Sequence, residues 1–88
     1  MTINNASLEL ELLRLVDERG PAKSVCPSEP ARIVGGPSGD AWGALMPKMR
    51  RIAVRLAKEG RIVITRKGKI VDPDDFKGVY RIAATRLE

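Results

Sequence analysis

Residues 45–65, LMPKMRRIAVRLAKEGRIVIT, decide the fold, because the hydrophobic period changes within them. Leu45, Met49, Ile52, Ala53 and Leu56 recur at helical spacing and cover a band about 100° wide, the width of a stripe that faces a core. Lys48, Arg51, Arg55 and Lys58 recur at i, i+3, i+7 and i+10 and form a cationic band beside it, with Arg50 further round the helix. Gly60 closes the helix, since glycine accepts the left-handed conformation that follows a last turn. From Ile62 the pattern is β-branched, and Ile62-Val63-Ile64-Thr65 reads as a strand.

Reading on from the strand, Arg66-Lys67-Gly68-Lys69 is a turn and Ile70-Val71 a short returning strand. Asp72-Pro73-Asp74-Asp75 breaks it and reads as a turn leading into a helix cap, here a single turn toward Phe76. Val79 to Ala84 alternates again, placing Tyr80 and Ile82 on one face and Arg81 on the other.

Reading back, the helical stretch begins after Asp40, a good cap, and Pro47 interrupts it. Lacking an amide hydrogen, Pro47 predicts a kink, or a separate turn over residues 41–46. A loop, Gly35-Gly36-Pro37-Ser38-Gly39, precedes it. Before the loop, an extended Ser24-Val25 leads to a short helix with Cys26 or Ser28 at its cap, Pro27 at its first position and Glu29 in its first turn. A first helix runs from Ser7 to Arg19, capped by Asn5 or Ser7 and stopped by Gly20-Pro21. Leu8, Leu12, Leu15 and Val16 share its core face. Leu10 and Leu13 project from the other side, to be covered by the wing or the N-terminal tail, or else by a second copy.

The fold class expected from this order is α+β: a winged helix, with a three-helix helix-turn-helix core followed by a small antiparallel β wing. The link from Gly35 to Asp40 is longer than the usual three- or four-residue turn of that motif. With 88 residues the chain reads as one domain spanning 1–88. Residues 1–6 read as a disordered lead, and Leu87-Glu88 reads equally as a cloning scar or a native end.

The composition is 43% hydrophobic and 31% charged, which is that of a folding chain rather than a disordered one. Its net charge of +5 is unevenly placed. Residues 1–44 carry four basic and six acidic side chains, residues 45–88 twelve and five, so a basic partner surface belongs to the second half. One cysteine, no secretory leader and no long apolar run predict a cytoplasmic protein with no membrane association.

The absence of histidine removes the usual base near neutral pH and the commonest metal ligand, so no enzyme and no catalytic residue is expected. Cys26 at a helix N-terminus has the setting of an activated thiol but no partner base in sequence, and reads as a capping or semi-buried cysteine. Asp72, Asp74 and Asp75 match no calcium loop, and Gly35–Gly39 lacks the Gly-Lys-Ser/Thr ending of a phosphate loop. No metal, cofactor or small-molecule substrate is therefore expected.

Several blocks together resemble a known family. They are Val25-Cys26-Pro27-Ser28-Glu29 with Ala31, Trp42 with Leu45-Met46-Pro47, Arg51 to Leu56 leading into Glu59-Gly60-Arg61-Ile62, Lys67-Gly68, and Val71-Asp72-Pro73. Over residues 8–84 the chain is similar to a family of small bacterial proteins known as a domain of unknown function. The resemblance implies a winged-helix-like fold in a bacterial cytoplasm and carries no activity or site residues with it.

The functional expectation rests on charge. Lys48, Arg51, Arg55 and Lys58, with Arg66, Lys67 and Lys69 at the wing tip, are the candidate nucleic-acid-binding residues, and duplex DNA is the expected partner. Arg51 and Arg55 are the candidates for reading guanine edges. With Trp42, Phe76 and Tyr80 as the only aromatic residues, a stacking platform for single strands is not expected. The alternative is a protein-interaction or homodimerisation module using Leu10 and Leu13, with Met46 if Pro47 exposes it.

Overall fold

The computed structural model describes residues 5–20, 23–36 and 39–85. The N-terminal lead 1–4, Pro21 and the expected scar at Leu87-Glu88 lie outside the described residues. Among the described residues the fold is α+β, with four helices and a small antiparallel four-stranded sheet. Helix α1 spans Asn5–Arg19, so residues 5 and 6, expected in the disordered lead, are already helical. The expected caps Asn5 and Ser7 accordingly lie inside the helix. Gly20 ends α1 at φ +77° and donates its amide to the Val16 carbonyl at 3.1 Å.

Strand β1 (Ser24–Val25) follows, then α2 (Ser28–Gly35). Cys26 accepts the Glu29 amide at 2.9 Å, and the Glu29 carboxylate accepts the Cys26 amide at 2.9 Å. Pro27 itself is the N-cap, without a side-chain cap hydrogen bond, so of the expected caps Cys26 precedes it and Ser28 lies inside the helix. Gly36 closes α2 at φ +92°.

The third helix expected from residues 41–59 is two helices. Helix α3 (Gly39–Gly43) takes in Asp40, which was expected to cap from outside, and α4 spans Met46–Lys58. Pro47 therefore sits in the first turn of α4, where a missing amide hydrogen costs no intrahelical bond, and not in a helix interior. Gly35 makes the α2–α3 junction close. A Cβ there would lie 3.0 Å from both Leu45 Cδ1 and Trp42 Cα.

Strands β2 (Ile62–Arg66), β3 (Lys69–Ile70) and β4 (Arg81–Ala84) complete the sheet in the order β1-β4-β2-β3. The register pairs Val25 with Ile82 and Ile64 with Ile82 on either side of β4, and Thr65 with Ile70 across the hairpin. Lys67 and Gly68 join β2 to β3 with φ of +52° and +80°. Positive φ at both central residues gives the twist that a two-residue hairpin needs. Residues 72–75 form the expected turn, in which Asp75 donates to the Asp72 carbonyl and Asp74 to the Asp72 carboxylate.

Alternation assigns the two faces of the sheet. Val25, Ile62, Ile64 and Ile82 point inward and are fully buried against Leu8, Leu12, Met49 and Leu56 of the helices. All nine apolar positions of the two stripes read from the sequence, four on α1 and five in residues 45–56, are core. Each such burial stabilises the fold by roughly 1.5–3 kcal/mol for the larger aliphatic side chains.

Candidate nucleic-acid interface

The α4 stripe that buries Met49, Ile52, Ala53 and Leu56 turns Lys48, Arg51, Arg55 and Lys58 away from the core. Their surroundings then divide them. Arg55 forms ion pairs with Glu9 of α1 and, at 3.0 Å, with Glu59. Arg61 adds a second cation to Glu9 at 3.4 Å. Lys58 meets Asp74 of the 72–75 turn at 2.9 Å. The C-terminal half of the stripe is thus flanked by carboxylates on both sides, and the Arg55 guanidinium is held even more firmly protonated by Glu59 and Glu9.

The N-terminal half is different. Half-buried Lys48 and exposed Arg51 make no side-chain hydrogen bond or ion pair among the described residues. The same is true of Lys67 and Lys69, both exposed at the hairpin turn. Arg66 is set apart from its neighbours: its Nε donates to the Val79 carbonyl at 2.9 Å, fastening β2 to the loop before β4. Of the seven candidate cations, four retain their charge toward solvent and three are engaged within the fold.

Arg50, placed off the stripe by its helical angle, is structural. Its Nη2 donates to the Phe76 carbonyl at 2.7 Å and its guanidinium lies 4.0 Å from the Phe76 ring centre and 5.8 Å from that of Tyr80. Burial pushes the Tyr80 hydroxyl up to about 12, Arg50 opposing and Cys26 adding to the shift. That hydroxyl finds no hydrogen-bond partner among the described residues.

Cys26 lies just before the Pro27 cap of α2, with its Sγ 3.1 Å from Ser28 Oγ. Glu29, below the cap, is held below the usual carboxylate range chiefly by its ion pair with Arg19. Asp72, Asp74 and Asp75 do not form a three-ligand cluster with any other side chain among the described residues. Two aromatic contacts were not foreseen, Arg50 on Phe76 and Arg32 stacked 4.7 Å from the Trp42 ring centre. Their only sequence signal was an arginine adjacent to, but off, an apolar stripe.

Of the alternative interface, Leu10 is 69% exposed on α1, while Leu13 packs against the core. Met46 also packs against the core, so the Pro47 turn does not release it.

These features define a small α+β protein whose helix α4 carries a basic face beside its buried stripe. Residues 5–85 match the family described as "Protein of unknown function (DUF3253)", and the chain belongs to that family. No curated protein matches it. Among the described residues, no helix is long and apolar enough to cross a membrane.

Proposed function

We propose that the protein is a bacterial, cytoplasmic winged-helix module that binds duplex DNA without catalysing a reaction. The observation that carries this reading is the sparing of Lys48, Arg51, Lys67 and Lys69 from internal ion pairs, while Arg55 and Lys58 are neutralised. In helix-turn-helix readers the N-terminal residues of the recognition helix approach the bases, and the uncompensated cations of α4 stand in that half. The sheet order supports the winged reading, since β1, lying between α1 and α2, pairs with the strand that returns from the hairpin. Lys67 and Lys69 then serve as phosphate contacts at the wing tip.

The test is a titration with a generic duplex at low and moderate salt, followed by amide shifts. Shifts at residues 48–52 and 67–69 that weaken with salt are expected, with a log–log slope of about 0.9 per phosphate neutralised. Salt-independent shifts, or none in those segments, sink the reading.

The exposure of Leu10 favours a second reading, a protein-interaction or homodimerisation surface on α1. With Leu13 in the core this surface rests on one leucine. Sedimentation over a concentration series decides it: a dimer lost on Leu10→Lys supports the reading, and a monomer at all concentrations removes it.

A further inference from the structure

The sheet has a second face, and helices do not cover it. Alternation along β2, β3 and β4 turns Val63, Thr65, Ile70 and Ala83 outward, opposite to the buried Ile62, Ile64 and Ile82. A groove of about 690 Å³ lies over this face, a size within the range of ligand-binding clefts. Its floor is made of small or β-branched side chains, apolar at Val63, Ile70 and the buried Ala83 and hydroxyl-bearing at Ser24 and Thr65, and Ile70 is 69% exposed there.

Its rim is charged with one sign. Lys23 stands beside the β1 edge and Lys69 belongs to the β3 edge, and no carboxylate is among the residues that line the groove. Arg81 adds a third positive charge on the same face, its guanidinium fastened to the Ser24 carbonyl at 3.2 Å. From β1 to β3 there are three inter-strand steps, so the two rims stand about 14 Å apart. An α-helix with its side chains is about 10–12 Å across. A helix lying in the groove would set an apolar stripe on Val63, Ile70 and Ala83 and bring its two flanks against the lysines.

We propose that the outer sheet face docks an acidic amphipathic helix of a partner protein, with carboxylates on both flanks of its apolar stripe. The charge of the rims selects the sign of the partner, and the width between them selects a helix. Lys69 is shared with the proposed wing-tip contacts, but the floor at Val63, Thr65 and Ala83 is not, so shifts at the floor amides separate this proposal from DNA binding.

The experiment uses the full chain and a designed helical peptide of about 15 residues, long enough to hold a helix, with a leucine stripe and glutamates on both flanks. A second peptide has the same stripe with lysines on the flanks. Expected are amide shifts centred on residues 63, 65, 83 and 84 with the acidic peptide only. Affinity should fall about tenfold or more in Lys23→Glu/Lys69→Glu, a change confined to exposed side chains. Lys23→Gln/Lys69→Gln serves if the reversal perturbs the fold, and should weaken binding less.

Equal binding of the basic peptide overturns the proposal, as do shifts centred on α4 or unchanged affinity in both lysine variants. Duplex DNA shifting the same sheet amides overturns it in favour of a nucleic-acid surface. A concentration-dependent dimer that broadens those amides in the free protein overturns it in favour of a second copy of the chain.

Discussion

Arg50 lies flat on Phe76, with its guanidinium 4.0 Å from the ring centre, and also donates to that residue's carbonyl at 2.7 Å. One side chain of α4 thus holds both the ring and the backbone of the loop that carries the chain from β3 to β4. Arg50→Ala is expected to lower stability by about 2 kcal/mol, from the cation–π contact and a charge-assisted hydrogen bond together. Arg50→Lys should recover only part of this, because a point charge does not stack and bond at once. Urea denaturation of the three proteins is the measurement.

Glu9 and Asp74 neutralise the C-terminal half of the α4 stripe. If DNA is the partner, Glu9→Gln/Glu59→Gln/Asp74→Asn, which frees Arg55 of both its carboxylates and Lys58 of its one, should bind a generic duplex more tightly and steepen the log–log salt dependence by up to about 0.9 for each cation released. The stability cost should be small, since these pairs are solvent-exposed. Unchanged affinity in this variant would mean that Arg55 and Lys58 do not face the ligand.

Tyr80 buries a hydroxyl that has no partner among the described residues. Tyr80→Phe should therefore stabilise the fold, on the order of 1 kcal/mol. The hydroxyl's ordinary value of 10.0 is raised to about 12, so the folded state favours the neutral form. That contribution is fully present below 10 and is lost as pH rises through about 12. Thermal melts should show alkaline destabilisation across this window in the native protein and its attenuation in Tyr80→Phe.

Glu29 joins the α2 cap to Arg19 of α1. Its folded value lies below the ordinary 4.5, so it stabilises the fold above that pH and ceases to do so as pH falls through the depressed value. The stability difference between the native protein and Glu29→Gln should be full at neutral pH and shrink on acidification below about 4.5. Chemical denaturation at a series of acid pH values checks this.

Gly35→Ala tests the α2–α3 junction. Its new methyl would meet the backbone of Trp42 and the side chain of Leu45 at 3.0 Å. Backbone cannot yield as a flexible side chain end does, so a loss of about 1–3 kcal/mol is expected despite alanine's better helix propensity. A shift of the thermal midpoint downward is the outcome; an upward shift would show that the junction relaxes freely.

The two apolar stripes were legible because burial on a helix repeats with the helical period, and every member of both is core. The strands were legible because Ile62, Ile64, Tyr80 and Ile82 alternate with their neighbours. Helix α3 was not, since Gly39-Asp-Ala-Trp-Gly43 is too short to show a period and has a glycine at each end. Nor does a sequence tell whether Pro47 breaks a helix or begins one; the turn at residues 44–45 settles that. For the candidate interface, helical angle placed the cations on one face. The Arg55–Glu59 pair is a local i, i+4 spacing, but the contacts of Arg55 with Glu9, 46 residues before it, and of Lys58 with Asp74 are encoded in no local pattern.

β4 pairs with β1 on one side and β2 on the other, although it follows both in the chain. During synthesis, then, α1, β1, α2, α4 and the β2–β3 hairpin all emerge before the strand that joins them. Until residue 84 is made, β1 and β2 each keep an unpaired edge beside apolar inward residues such as Val25, Ile62 and Ile64. The nascent chain is thus exposed to pairing with its neighbours until β4 emerges, and premature stops before or within β4 carry a hazard of aggregation.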